Sequence, residues 1–194
     1  MPLTIVKSSS LALAFANKSV LMNLIQRILA LCAFILLFWQ IIIGAYINRF
    51  TKKLGGWVFK FHVIEGVAVY LLVLMHPIFF VLTNYFGGRG LDPFYVFTQV
   101  CVLCSGTELF YTLGRVSFWL ISITVFAGLF RAAKFHIINY LVFLIIGIHG
   151  FLIGTDFRVM PFFAFAIFAY LVVICVVIQK LPALFSFYKT WLNS

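Results

Sequence analysis

Acidic residues are the scarcest feature of this sequence. Four Asp and Glu stand against 14 Lys and Arg in 194 residues, and charged side chains make up only 9% of the chain. An ordinary soluble domain carries about 25%. Without a charged skin the chain cannot be a soluble enzyme, a nucleic-acid-binding domain or a disordered segment. Histidine and cysteine are also few, four of each. The Cys lie far from the His in sequence, so no cluster has the ligand spacing of a zinc tetrad.

What fills the sequence instead is apolar: 65% of the residues, including 25 Phe. The basic residues that give the net charge of +10 are scattered between long apolar runs. That distribution is the mark of an integral membrane protein with basic loops rather than of a nucleic-acid partner.

A spanning helix needs about 20 mostly apolar residues. Five segments meet this: residues 28–48, 57–82, 110–130, 133–154 and 160–178. The expected fold is therefore an all-α helical bundle of five spans in contact with membrane lipid. Residues 1–27 are apolar only in part, interrupted by Lys18, Asn17 and Asn23, and are expected to form an interfacial helix; a sixth, short span is the alternative. Residues 28–180 form the membrane domain, and residues 181–194 a short cytoplasmic tail. The segment 86–109, punctuated by Gly87, Gly88, Gly90 and Pro93, ends the second span and packs over the mouth of the bundle. Within it, Cys101 and Cys104 form a C-x-x-C. Outside the membrane this pair fits a local disulfide; Cys32 and Cys175 read as packing residues.

Orientation follows the positive-inside rule. Arg49, Lys52, Lys53, Lys60, Arg131, Lys134, Lys180 and Lys189 share one face. On the other face Arg89, Arg115 and Arg158 are diluted by Asp92, Glu108 and Asp156. The C-terminus is expected inside, in a plasma (inner) membrane. Lys7, Lys18 and Arg27 fall on the outer face in a five-span arrangement and blur the bias.

All four His lie in two spans. His62 and His76 are 14 residues apart, His136 and His149 are 13 apart. At about 1.5 Å per residue these gaps are about 21 and 20 Å. With one span between them the two helices run parallel, so His62 shares the depth of His136 and His76 that of His149. Facing His at equal depth can supply both axial ligands of a haem iron, and two such pairs stack two haems within a layer about 30 Å thick. The azimuths fit less well. Fourteen residues return to within about 40° of the same face, thirteen only to about 140°. Either the fourth helix is distorted, for example near Gly147, or its two haems lie on different sides of it. Three other uses of these His remain. They could serve as interhelical hydrogen-bond partners; as a proton relay, for which Glu65 is the one carboxylate nearby; or at a zinc site, which the depth separation disfavours.

The segments KFHVIEGVAVYLLVLMHP (60–77) and RAAKFHIINYLVFLIIGIHG (131–150), with a 14-residue gap followed by a 13-residue one, resemble the ferric reductase-like transmembrane domain. This is the haem-bearing membrane part of NADPH oxidases and ferric-chelate reductases. The resemblance covers roughly residues 28–180. It implies two b-type haems, with His62 and His136 on the inner iron and His76 and His149 on the outer, and a ferric chelate or dioxygen as acceptor. The family's domain usually has six spans, and its large members add a flavin and NAD(P)H module. Neither FAD nor NAD(P)H has a site in this sequence, so the expected oxidoreductase component needs a separate flavoprotein or quinol donor. A dihaem anchor exchanging electrons with quinone for a partner oxidoreductase is a rival reading, and a haem-free proton-coupled transporter or structural bundle is another.

Haem propionates need cationic partners. Lys60, Arg131 and Lys134 lie at the depth of the inner pair, Arg89 and Arg158 nearer the outer; each also fits an ordinary positive-inside residue. Gly66, Gly147 and Gly150 could admit a porphyrin face or simply allow close helix approach. Tyr70 and Phe143 lie midway along the His intervals, where a core aromatic is the simpler reading. Glu65 and Asn139 could orient the inner His rings; backbone carbonyls could equally do so.

Overall fold

Asn17 starts the first long helix. Its side chain accepts from the amides of Ser19 at 2.9 Å and Val20 at 3.3 Å, a standard N-cap that satisfies two of the free N–H groups of the first turn. A short helix α1 (Leu11–Ala16) precedes it. From this cap α2 runs unbroken over Lys18–Ala45, 28 residues. The computed structural model describes residues 10–101, 103–130 and 136–192, with the backbone alone for 129 and 182–192.

The boundary expected at residue 28 thus falls inside one helix. Several polar residues of the N-terminal segment face the bundle interior. Arg27 forms a two-pronged ion pair with Asp156, at 2.6 Å from Nε and 2.5 Å from Nη2, and Asn23 and Gln26 face an internal cavity.

Next come α3 (Ile47–Leu54), a polar helix with Lys52 and Lys53 in its last turn, and α4 (Trp57–Phe86), which contains Pro77. Gly88 and Gly90, at φ of 79° and 83°, take the backbone into the left-handed region that ends α4 without a Cβ clash. Helix α5 (Pro93–Thr98) is capped by Asp92, whose carboxylate accepts from the amide of Tyr95 at 3.0 Å. Helix α6 covers Thr107–Leu129 and α7 Ile138–Ile153. A 3-10 turn (Asp156–Arg158) leads to α8 (Phe162–Leu192). Arg158 closes the end of α7 by donating to the carbonyls of Phe151 at 3.1 Å and Leu152 at 3.0 Å, as basic residues do at helix C-termini.

The described residues are helical and turn-forming. Four helices, α2, α4, α6 and α8, are long and apolar enough to cross a membrane. Helix α7, with 16 residues, spans about 24 Å. The apolar surface points outward: only 17% of the most apolar stretch of α4 is buried, and Ile64, Leu71, Phe168 and Leu171 are each more than half exposed. Water would not support that distribution; lipid does.

Inside, α2 packs along α4 and α6 along α7, and α2 also touches α7 and α8. The centre is aromatic. Phe34 of α2 stacks on Phe143 of α7 with centroids 4.8 Å apart and meets Phe157 edge-on at 5.1 Å. Phe143 is fully buried in this cluster, a core residue. The two His-bearing helices α4 and α7, by contrast, share no packed interface of their own among the described residues.

Candidate cofactor site

The gap between α4 and α7 matters because it lies where the His side chains are. His76 and Pro77 of α4 and His149 of α7 line one cavity of about 570 Å³, within the roughly 300–1,000 Å³ typical of ligand and cofactor sites. The structure thus brings His76 and His149 to one cavity; His62 and His136 do not line it.

Glycines make room for three of the four rings. A Cβ at Gly114 of α6 would lie 2.7 Å from Cε1 of His149; at Gly128 of α6, 3.0 Å from Cε1 of His136; at Gly44 of α2, 3.1 Å from Cε1 of His62. Contacts under 3.0 Å do not occur between real side chains, so any larger residue at Gly114 displaces the imidazole. The glycines that sequence offered as porphyrin clearances serve helix packing instead. Gly66 receives the side chain of Gln40, Gly147 that of Tyr170, and Gly150 that of Phe157.

The rings at the cavity are also held in one tautomer. Nδ1 of His76 lies 3.1 Å from the carbonyl of Gln26, and Nδ1 of His149 lies 2.8 Å from the carbonyl of Phe110. A carbonyl can only accept, so Nδ1 carries the proton and Nε2 presents its lone pair. That is the state an axial metal ligand needs. At these two rings the orienting groups are backbone carbonyls. Asn139 accepts from Thr124 at 2.6 Å.

The His62 region is built differently. Its Nδ1 is buried without a partner, as are Oε1 of Gln40 and Oε2 of Glu65, although Gln40 donates to the His62 carbonyl at 2.7 Å. Buried polar atoms normally find partners. Three orphans within one turn of α4 and its neighbour leave that site with donors and acceptors to spare.

His136 lies with Ile137 in a 3-10 turn just ahead of α7. Residues in such a turn advance about 120° rather than about 100°. The azimuth mismatch between His136 and His149 shrinks accordingly from about 140° to about 100°. The distortion sits at His136; Gly147 lies within the regular helix.

Of the cations at the cavity, the sequence singled out Arg89 but not Arg27 or Arg115. Arg27, Arg89 and Arg115 all line it. Arg115 is buried, donates to the carbonyl of Gln99, and stands 4.5 Å over the ring of Tyr95. Tyr95 in turn donates to Glu108, so α5 is drawn across the cavity. Arg158 is not at the cavity but caps α7. Lys60 is exposed in the first turn of α4, and Arg131 and Lys134 lie outside the described residues. No sequence pattern marks Arg27 or Arg115 as a neighbour of His76; helix packing alone puts them there. Among the described residues no three His, Cys, Asp or Glu converge, so no zinc-type centre forms.

The residues present fit a bis-His haem: two tautomer-fixed imidazoles, a largely apolar chamber and arginines at its polar rim. Comparison with known protein families, curated proteins and solved structures yields no match.

Proposed function

We propose that this chain binds two b-type haems and carries single electrons across a bilayer. The observation that bears most weight is the pairing of His76 and His149 on one cavity, each with Nδ1 committed to a backbone carbonyl. On this reading His76 and His149 ligate the outer iron, and His62 and His136 the inner. A bis-His haem, when bound, supplies a one-electron carrier with no open coordination position.

The chain's own residues do the rest. Arg27, Arg89 and Arg115 offer charge-assisted bonds to propionates. The Phe-rich core around Phe34 and Phe143 keeps water from the interior between the two pairs, which lowers the local dielectric. On this reading α7, a shorter apolar helix of 16 residues, makes the fifth crossing. The Arg27–Asp156 pair neutralises a cation that otherwise counts against the positive-inside bias, which supports a C-terminus on the cytoplasmic side of a plasma membrane. The resemblance to the ferric reductase-like domain points to a ferric chelate or dioxygen as acceptor and to a separate flavoprotein or quinol as donor.

Purified protein is expected to show a Soret band that shifts on reduction, with two haems per chain. Protein that folds in detergent and lacks a Soret band after haem reconstitution overturns the proposal.

A further inference from the structure

Cys101 and Cys104 are joined by a disulfide in the loop between α5 and α6. As a staple it is nearly superfluous. So short a loop removes little entropy from the unfolded chain. The loop and the end of α5 are also fastened to α6 by three bonds that involve no sulfur. The amide of Cys101 donates to Thr112 at 3.1 Å, Arg115 donates to the carbonyl of Gln99, and the indole of Trp119 donates to the carbonyl of Phe97 at 2.9 Å.

What the bridge has instead is access. Leu103, between the two cysteines, is 100% exposed, and Ser105 and Gly106 beside Cys104 are exposed as well. Cys104 stands two residues before Gly106, the N-cap of α6. The free amides of a helix N-terminus favour a thiolate nearby. A half-buried C-x-x-C pair flanked by exposed residues, in a loop with other fastenings and next to such a terminus, has the features of a reactive disulfide.

We propose that Cys101–Cys104 is a thiol–disulfide exchange site for a dithiol partner on this face of the membrane. A thiolate of the partner attacks Sγ of Cys101. The Cys101–Cys104 bond breaks, a mixed disulfide forms, and Cys104 leaves as the thiolate favoured by α6. The partner's second thiolate then attacks its own sulfur in the mixed disulfide, which releases Cys101. The partner ends oxidised to a disulfide and the pair ends as two thiols. Two electrons and two protons pass from partner to pair, and no other oxidant enters. The site stands apart from the haem reading and does not depend on it.

The test uses the full chain in detergent, equilibrated with dithiothreitol or with glutathione redox buffers, acid-quenched, denatured and alkylated with a maleimide of high mass. The expected result is reduction by glutathione buffers that leave structural disulfides intact. It reads as label on all four cysteines rather than on Cys32 and Cys175 alone. Cys104→Ser should accumulate a glutathione mixed disulfide at Cys101, and Cys101→Ser/Cys104→Ser should melt within a few degrees of the parent. A bond that resists every glutathione buffer, or a double variant that fails to fold or melts far lower, makes the bridge a structural staple and overturns the proposal.

Discussion

The imidazole of His149 rests on Gly114 of the neighbouring helix, so closely that a Cβ there would lie 2.7 Å from the ring. Gly114→Ala forces the ring aside, at the cost of about 1–3 kcal/mol typical of overpacking. Since about 1.4 kcal/mol is tenfold in affinity, haem content should fall from two per chain towards one. Gly44→Ala, with 3.1 Å of clearance to His62, should be milder. Pyridine-haemochrome titration of both variants reads the difference, and equal retention in the two would remove the packing argument.

Removing a ligand should be more selective. His76→Ala or His149→Ala is expected to leave one haem per chain, held by His62 and His136. Retention of two full equivalents in either variant contradicts the pairing.

Asp156 is buried and its partner Arg27 is 19% exposed at the side chain. Asp156→Asn leaves a guanidinium at the cavity edge without its counter-charge, and breaking a buried pair costs about 3–5 kcal/mol. With Arg27 part-solvated the lower end, about 3 kcal/mol, is expected. The thermal midpoint in detergent should drop clearly, and Arg27→Gln/Asp156→Asn should recover part of the loss. An unchanged midpoint in Asp156→Asn shows that the pair contributes nothing net.

Tyr95 gives helix α5 a pH dependence. Burial first, and then its bond to Glu108, hold the phenol above its ordinary value of 10.0. The folded state thus keeps the proton longer than the unfolded chain does. The stability this gives is complete below about pH 10 and is lost as pH rises through the folded value. Thermal unfolding measured from about pH 8 to about pH 11 should decline more steeply in the parent than in Tyr95→Phe. Parallel declines would mean that Tyr95 does not sense alkali.

The sequence disclosed much of this site because depth along a helix is a matter of counting. A rise of about 1.5 Å per residue fixes the gap between His62 and His76 and that between His136 and His149. It misjudged the N-terminal segment for a related reason. Asn23, Gln26 and Arg27 look like interruptions of an apolar run when their partners are unknown. Asp156, 129 residues away, turns Arg27 from an interfacial residue into part of the cavity wall. The glycines were left open between porphyrin clearance and helix approach, and packing decided for approach. Gly66, Gly147 and Gly150 share helices with the His, but a side chain pressed against a ring must come from a neighbouring helix, and Gly44, Gly114 and Gly128 fill that place.

Composition and periodicity thus determined by themselves that the chain is helical, that its helices suit a membrane, and how far apart the His lie along each helix. These follow from local quantities: apolar content per turn and rise per residue. Only the tertiary structure decided which helices leave a gap, which carbonyls fix the His76 and His149 tautomers, which arginines border the cavity and where the azimuth error is absorbed. Those depend on contacts between helices distant in sequence, set by side-chain packing that no count along one chain contains.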